Sequence, residues 1–326
     1  MISESKINEV VAGLFRDIRF TQEPAGLYDP LRYMIQIGGK RIRPRLCVTA
    51  YSLFRDVIDE DIFEPAMALE VFHSFTLLHD DIMDKSPLRR GKPTVWTKWN
   101  EDTAILSGDV MQIDAYKRMA KAPSDKVPNV IALFSKTAAE VCEGQQYDME
   151  FEKVDDVKMT DYEKMIGLKT AVLLACSAAI GAIIGGADAA TSQALYNYGY
   201  ELGMAFQVAD DYLDAFGDEK VFGKPIGGDI LNEKKSWLTV RAMEKTTDKA
   251  AFLAEFKSKA STPEQKEAKI ASVKNLYLTL GVPEDAKAAI LGYTSKAMDA
   301  LSGSGFSKVQ YEVLRRFAEN LVGRVK

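Results

Sequence analysis

Apolar residues recur at three- and four-residue spacing through Pro65–Asp84, Asn129–Glu152, Ser192–Phe216 and Gln310–Val325, all rich in Ala, Leu and Met. That period puts the apolar side chains on one face of an α-helix, so long helices are predicted there. Runs of Val, Ile and Thr alternating with polar residues and closed by Asn-Gly or Asp-Gly turns are missing, and no sheet is expected. Glycine and proline cluster only at Gly38-Gly39, at Gly91-Lys92-Pro93 and from Gly223 to Gly228. Between Thr246 and Asn275 the chain turns Lys-, Glu- and Ala-rich, as in exposed helices with i,i+4 charge pairs. With no Pro- or Ser-rich linker and no fixed-period repeat, residues 1–326 are expected to form a single all-α domain.

One stretch tests that reading. Thr170 to Ala187 is 18 residues without a charge, which reaches the length of a membrane span. Twelve of the 18 are Ala, Gly, Ser, Thr or Cys and only six are Val, Leu or Ile. A closely packed buried helix fits that composition better, so no membrane span is expected. The first 20 residues mix acids and bases and lack an apolar h-region, so no signal peptide is read there.

Composition narrows the function classes. The chain has 326 residues, 47% apolar and 27% charged, which supplies a large core. Its 47 acidic and 42 basic side chains give a net charge of −5, against a general nucleic-acid binder. Cys47, Cys142 and Cys176 form no CxxC pair, which argues against a disulfide framework or a zinc ribbon and suits a reducing, cytoplasmic compartment.

Candidate chemistry lies in two DDxxD motifs, Asp80-Asp81-Ile82-Met83-Asp84 and Asp210-Asp211-Tyr212-Leu213-Asp214. On a helix, i and i+4 share a face, so Asp80 pairs with Asp84 and Asp210 with Asp214. Each motif ends an apolar helix, where adjacent like charges are unfavourable unless cations neutralise them. Hard carboxylate oxygens without thiolate or imidazole select Mg²⁺, which also recruits phosphate oxygens. Two solvated helix ends are the plainer alternative. Cationic runs weigh against it: Gly38-Gly39-Lys40-Arg41-Ile42-Arg43-Pro44-Arg45, Arg89-Arg90-Gly91-Lys92-Pro93-Thr94, and Lys224 with Lys234 after Asp214. Guanidinium and ammonium groups are natural partners of phosphate. The GxxxxGK[ST] pattern of nucleotide P-loops fails at all three Gly-Lys pairs. Together these residues describe Mg²⁺ bridging aspartates to a diphosphate, which then becomes a good leaving group. Glu70-Val71-Phe72-His73 is the only ExxH, so a di-iron bundle lacks its second motif.

These motifs, in this order, resemble the trans-isoprenyl diphosphate synthase (polyprenyl synthetase) family, of geranylgeranyl or farnesyl diphosphate synthase type. The resemblance runs from GGKRIRPRL near position 38 to GGDILNEKKSW near 227, through HSFTLLHDDIMD, RRGKPT, AILSGD, GQQYD, LKT and FQVADDYLD. It implies an all-α helical bundle around a central cavity, the isoprenoid synthase fold, and a homodimer. It also implies condensation of isopentenyl diphosphate with an allylic diphosphate. Asp80 and Asp84, supported by Asp81, would ligate two Mg²⁺; Asp210, with Asp211 and Asp214, would ligate a third. Lys40, Arg43, His73 and Arg90 would bind isopentenyl diphosphate. Arg89, Lys169, Thr170, Gln207, Lys224 and Lys234 would hold the allylic diphosphate, with Lys169 and Lys224 also serving catalysis. Asn232-Glu233-Lys234-Lys235-Ser236 replaces the family's commoner EGKKT, which leaves open whether Lys234 or Lys235 makes the contact. His79 fits no such role and is read as structural.

The implied reaction is ionisation of the allylic C–O bond, attack by the double bond of isopentenyl diphosphate, and loss of a proton to re-form a trans alkene. Phe75, five residues before Asp80, would sit about 7.5 Å down the helix from the metal site and stop the growing chain, with Thr76 leaving its own side open. One aromatic obstacle suggests C15 to C20, with geranylgeranyl diphosphate preferred. Phe75 as plain core on another face is the alternative. Longer C30–C40 products, a terpene cyclase and a non-catalytic synthase subunit are the competing functions, the last two disfavoured by the second DDxxD and the six retained aspartates.

Overall fold

Residues 2–218 and 226–323 are described by the structure, a computed structural model. The predicted long helices form as Glu60–Met83, Val127–Phe151, Ala189–Phe216 and Lys308–Val322. The first begins five residues before Pro65, because the Asp59 side chain caps the Asp61 N–H and Glu60 and Asp61 favour the helix N-terminus. In the C-terminal half, Thr262 with Gln265 and Ser307 with Gln310 form reciprocal capping boxes that start Pro263–Thr279 and Lys308–Val322.

The chain separates into two compact units. The first comprises Met1–Lys136 and Leu173–Tyr196. Within it, Glu60–Met83 lies along Glu101–Met119. A row of rings, His79–Phe75–Phe72–Phe134–Tyr116, runs through this core with centroids 4.9 to 5.3 Å apart. Fully burying each such phenylalanine contributes about 1.5–3 kcal/mol. Leu173, Leu174, Ala175, Cys176, Ala178 and Ile180 of the uncharged stretch are buried as expected. Its small residues matter for approach: a methyl at Gly181 would overlap the Cys47 carbonyl of the neighbouring Ile42–Tyr51 helix. By length and composition Met159–Gly185 passes as a membrane span, yet most of it is buried inside the protein.

The first unit departs from expectation at one point. Leu88–Arg89 pairs antiparallel with Lys92–Pro93, a small hairpin where no strand is predicted. Its turn is Arg90-Gly91, with φ of 52° and 72°. Two positive φ values match a type I′ connection, and a glycine in its second place makes it affordable. Two-residue strands around Arg-Gly give no alternating signal to read.

The second unit comprises Thr137–Val172 and Asn197–Lys326. Tyr162, Val208, Trp237, Phe252, Phe256 and Tyr277 belong to its core. Here Met159–Ile166 runs into a π-helical turn, Gly167–Ala171, that carries Lys169 and Thr170. Glycines let neighbours reach this turn: a methyl at Gly144 would overlap the backbone N of Lys169, and one at Gly203 would overlap Ala171.

Candidate active site

In the first unit, the Glu60–Met83 helix delivers His73, Asp80 and Asp81, and Asp84 is its C-cap. The motif splits by helical phase. Asp80 and Asp84 are partly exposed, whereas Asp81 is only 2% exposed. Arg89, on the hairpin, donates to both Asp81 carboxylate oxygens at 2.7 to 3.0 Å and approaches Asp80 at 3.6 Å. Burial raises the Asp81 carboxyl, and Arg89 opposes that rise. The allylic role read for Arg89 therefore has to share its guanidinium with Asp81.

Four arginines of this unit act electrostatically on His73. Burial, then Arg43, Arg90, Arg89 and Arg41, hold its imidazole well below the usual range, so it is neutral at pH 7. Burial also brings Arg43 down to about 10, with Glu70 opposing and Arg90 adding to the shift. Lys40 is exposed in the loop before the Ile42–Tyr51 helix. A methyl at Gly39, whose φ is 152°, would overlap the Arg90 guanidinium, so glycine there lets the two loops meet. Thr76 donates to the His73 carbonyl at 2.8 Å, and Phe75 is buried between Phe72 and His79. His79 Nε2 lies 3.1 Å from the Ile105 carbonyl, and its ring covers Gly108.

In the second unit, Asp210, Asp211 and Asp214 lie on the Ala189–Phe216 helix, again with the inner acid turned inward. Asp211 accepts from Tyr162 Oη at 2.6 Å, Trp237 N at 2.7 Å and Gln207 Nε2 at 2.8 Å. Burial and then Asp229 push its carboxyl up to about 7 against those bonds. Thr170 donates to Gln207 Oε1 at 3.1 Å, which ties the π-turn to the motif. Lys169 bonds Asp148 at 2.6 Å. Lys224 lies outside the described residues. Lys235 is buried, its ammonium 5.8 Å from the Phe256 ring, while Lys234 is less buried. This arrangement favours Lys234 for a diphosphate.

Two acids quoted within sequence motifs received no site role there. Asp229 follows the Gly227 turn, and its N–H donates to Asp214 Oδ2 at 3.0 Å, adding an acid to the second motif. The Gly-Gly-Asp turn was its only signal. Glu70 lies among the arginines of the first unit, bonded to Arg41 at 2.8 Å. Among the described residues no group of three His, Cys, Asp or Glu is gathered closely enough to hold a metal unaided.

Residues 24–276 match the polyprenyl synthetase family. A short chain isoprenyl diphosphate synthase of Methanocaldococcus jannaschii is 42% identical over 223 residues, 68% of this chain and 67% of that protein. A geranylgeranyl diphosphate synthase of Sulfolobus acidocaldarius is 34% identical over 307 residues, 92% of this chain and 91% of its own. The crystal structure of a geranylgeranyl pyrophosphate synthase, 42% identical, superposes with a TM-score of 0.92 and 99% coverage of both chains. Motif order, helical fold and match over most of the length agree: this chain belongs to the polyprenyl synthetase family, and it is an isoprenyl diphosphate synthase, a transferase.

Proposed function

We propose that the enzyme joins isopentenyl diphosphate head to tail to an allylic diphosphate, in trans geometry, and that its product is geranylgeranyl diphosphate. The observation that carries this reading is the split within each DDxxD motif. Protein donors bind the inner carboxylates Asp81 and Asp211, and the outer pairs, Asp80 with Asp84 and Asp210 with Asp214, share a helix face. Such oxygen-only pairs fit Mg²⁺, which takes one or two carboxylates and completes its shell with water and phosphate. Asp229, bonded to Asp214, extends the second set. Three Mg²⁺ per active site are proposed on these outer acids. Mg²⁺, when bound, offsets the charge that develops on the departing diphosphate.

The chain's own residues do the rest. Lys169, Lys224 and Lys234, with Thr170 and Gln207, hold the allylic diphosphate as its C–O bond ionises, placing positive charge where the leaving group gains negative charge. Lys40, Arg43, Arg90 and neutral His73 hold isopentenyl diphosphate, whose alkene attacks the allylic carbocation and forms the new C–C bond. The resulting cation loses a proton to the released diphosphate, which re-forms the alkene in trans geometry. Phe75 and the row of rings behind it limit product length. Residues 1–326 are proposed to act as one catalytic domain.

Among the described residues Cys47, Cys142 and Cys176 form no disulfide, which supports a reducing, cytoplasmic setting. Leu106 and Ile113, 57% and 54% exposed one heptad apart on Glu101–Met119, support a homodimer. Incubating the purified chain with farnesyl and isopentenyl diphosphates and Mg²⁺, with mass spectrometry of the products, tests the reading. A C20 diphosphate is expected. Absence of condensation overturns the function, and C30 or longer products overturn the assigned length.

A further inference from the structure

Glu70 and His73 form the one ExxH of the chain, a motif without use in a di-metal site, and the structure supplies a different one. Glu70 is 3% exposed within an apolar helix. Its Oε1 accepts from Arg41 Nη1 at 2.8 Å. Arg41 is committed elsewhere too, donating to the Ile35 carbonyl at 2.7 Å and lying 4.4 Å over the Phe15 ring. Glu70 Oε2 is buried and has no hydrogen bond among the described residues, and the same holds for Arg43 Nε. An acceptor and a donor are thus left open within one cation cluster.

The cluster is self-repelling. Arg90 disfavours the charge on Arg43, and Arg89 and Arg41 disfavour that on Arg90, whereas Glu70 favours both. Long guanidinium stems drawn apart by repulsion would have to be gathered again for each incoming anion, a cost that a fixed countercharge removes in advance. An acid beside a phosphate site also repels phosphate. Burial and the Arg41 bond decide between these effects, because they fix the carboxylate inside the protein rather than on the surface an anion would meet.

We propose that Glu70 is a positioning residue of the isopentenyl diphosphate site, a buried countercharge that keeps Arg43 and Arg90 converged while the diphosphate is away. This rests on the assignment of Arg43 and Arg90 to isopentenyl diphosphate, and the experiment separates the two claims. Isopentenyl diphosphate binding is followed by calorimetry, and KM for each substrate by steady-state kinetics, in Glu70→Gln, Arg41→Gln/Glu70→Gln and Arg90→Ala. Glu70→Gln is expected to weaken isopentenyl diphosphate at least tenfold in Kd and KM, with the allylic KM within about twofold. A Glu70→Asp variant, with the charge kept, falls between. Wild-type or tighter binding by Glu70→Gln, or an equal rise in both KM values, overturns the proposal.

The double variant removes the buried pair together, leaves no orphaned charge and keeps the test alive if Glu70→Gln does not fold. A loss of at least fivefold for isopentenyl diphosphate alone supports the role, and wild-type affinity overturns it. If Arg90→Ala leaves isopentenyl diphosphate unaffected, the site assignment itself fails. If Arg90→Ala weakens it and Glu70→Gln does not, only the role of Glu70 fails.

Discussion

Arg89 closes on Asp81 with both arms of its fork, Nη2 to Oδ1 at 2.7 Å and Nε to Oδ2 at 2.9 Å, around a carboxylate that is 2% exposed. The inner acid of the first motif is thereby an anchor, and the outer acids are the proposed ligand-binding face. The same division recurs at Asp211, held by Tyr162, Gln207 and Trp237. A helix that must end in three acids stabilises the buried one by internal bonding.

Stability should therefore respond in opposite ways to neighbouring substitutions. Arg89→Ala leaves a buried carboxylate without its partner and is expected to cost about 3–5 kcal/mol. Asp80→Ala relieves like-charge repulsion, so its thermal midpoint should equal or exceed that of the wild type. Turnover should fall by orders of magnitude in Asp80→Ala and Asp210→Ala, and in the wild type with excess EDTA. Calorimetric unfolding and activity with and without chelator check this. Equal destabilisation by Arg89→Ala and Asp80→Ala would contradict the division, and full activity in EDTA would exclude the metal.

His73 gives a pH dependence with a definite sign. Its folded-state pKa is held well below 6.5 by burial and four arginines, so the unfolded chain binds the extra proton first as pH drops. The stability due to neutral His73 is complete above about pH 6.5 and declines as pH falls toward the folded-state value, by up to about 1.4 kcal/mol per pH unit. His73→Gln should remove that slope. Unfolding free energies from pH 7.5 to 5.0 should diverge between wild type and variant by one proton's worth. Parallel curves would mean that His73 titrates normally.

How much of this was legible depends on how local the physics is. The i,i+4 pairing of Asp80 with Asp84 and the period of the long helices follow from helix geometry alone, and both appear in the structure. Asp229 was not legible, because it reaches Asp214 only through the reversal at Gly227, whose φ is 83°. Glu70 was hidden for another reason. An acid inside an apolar run reads as an interruption until Arg41, 29 positions away, closes on it. The burial of Lys235 likewise depends on Phe256, a residue on a different helix.

The π-turn offers a test of packing against chemistry. Gly144 lies where a methyl would overlap the backbone of Lys169, and a backbone obstacle cannot swing aside as a side chain does. Gly144→Ala should displace Gly167–Ala171 at a cost of about 1–3 kcal/mol and move Lys169 from its 2.6 Å bond with Asp148. The allylic KM should rise at least fivefold while that for isopentenyl diphosphate changes little. Wild-type kinetics with a lowered thermal midpoint would show that the glycine serves packing alone.

The proposed product length rests on Phe75. Its ring is 7% exposed and stands 5.3 Å from Phe72 and 4.9 Å from His79, within the aromatic row of the first unit. Five residues separate it from Asp80, about 7.5 Å of helix, which is short of a fully extended C20 chain. Two effects compete in Phe75→Ala. Truncating a buried phenylalanine costs about 3–5 kcal/mol and opens a cavity, and that same cavity is room for further C5 units. Stability and product length therefore respond together if Phe75 is the floor, whereas plain core would lose stability alone. Phe75→Leu separates them, since it keeps most of the apolar volume while removing the ring's reach. Mass spectrometry under excess isopentenyl diphosphate should show products longer by at least one C5 unit for Phe75→Ala and a smaller shift for Phe75→Leu. An unchanged product distribution in Phe75→Ala, alongside the lowered thermal midpoint, would assign Phe75 to the core and move the floor elsewhere.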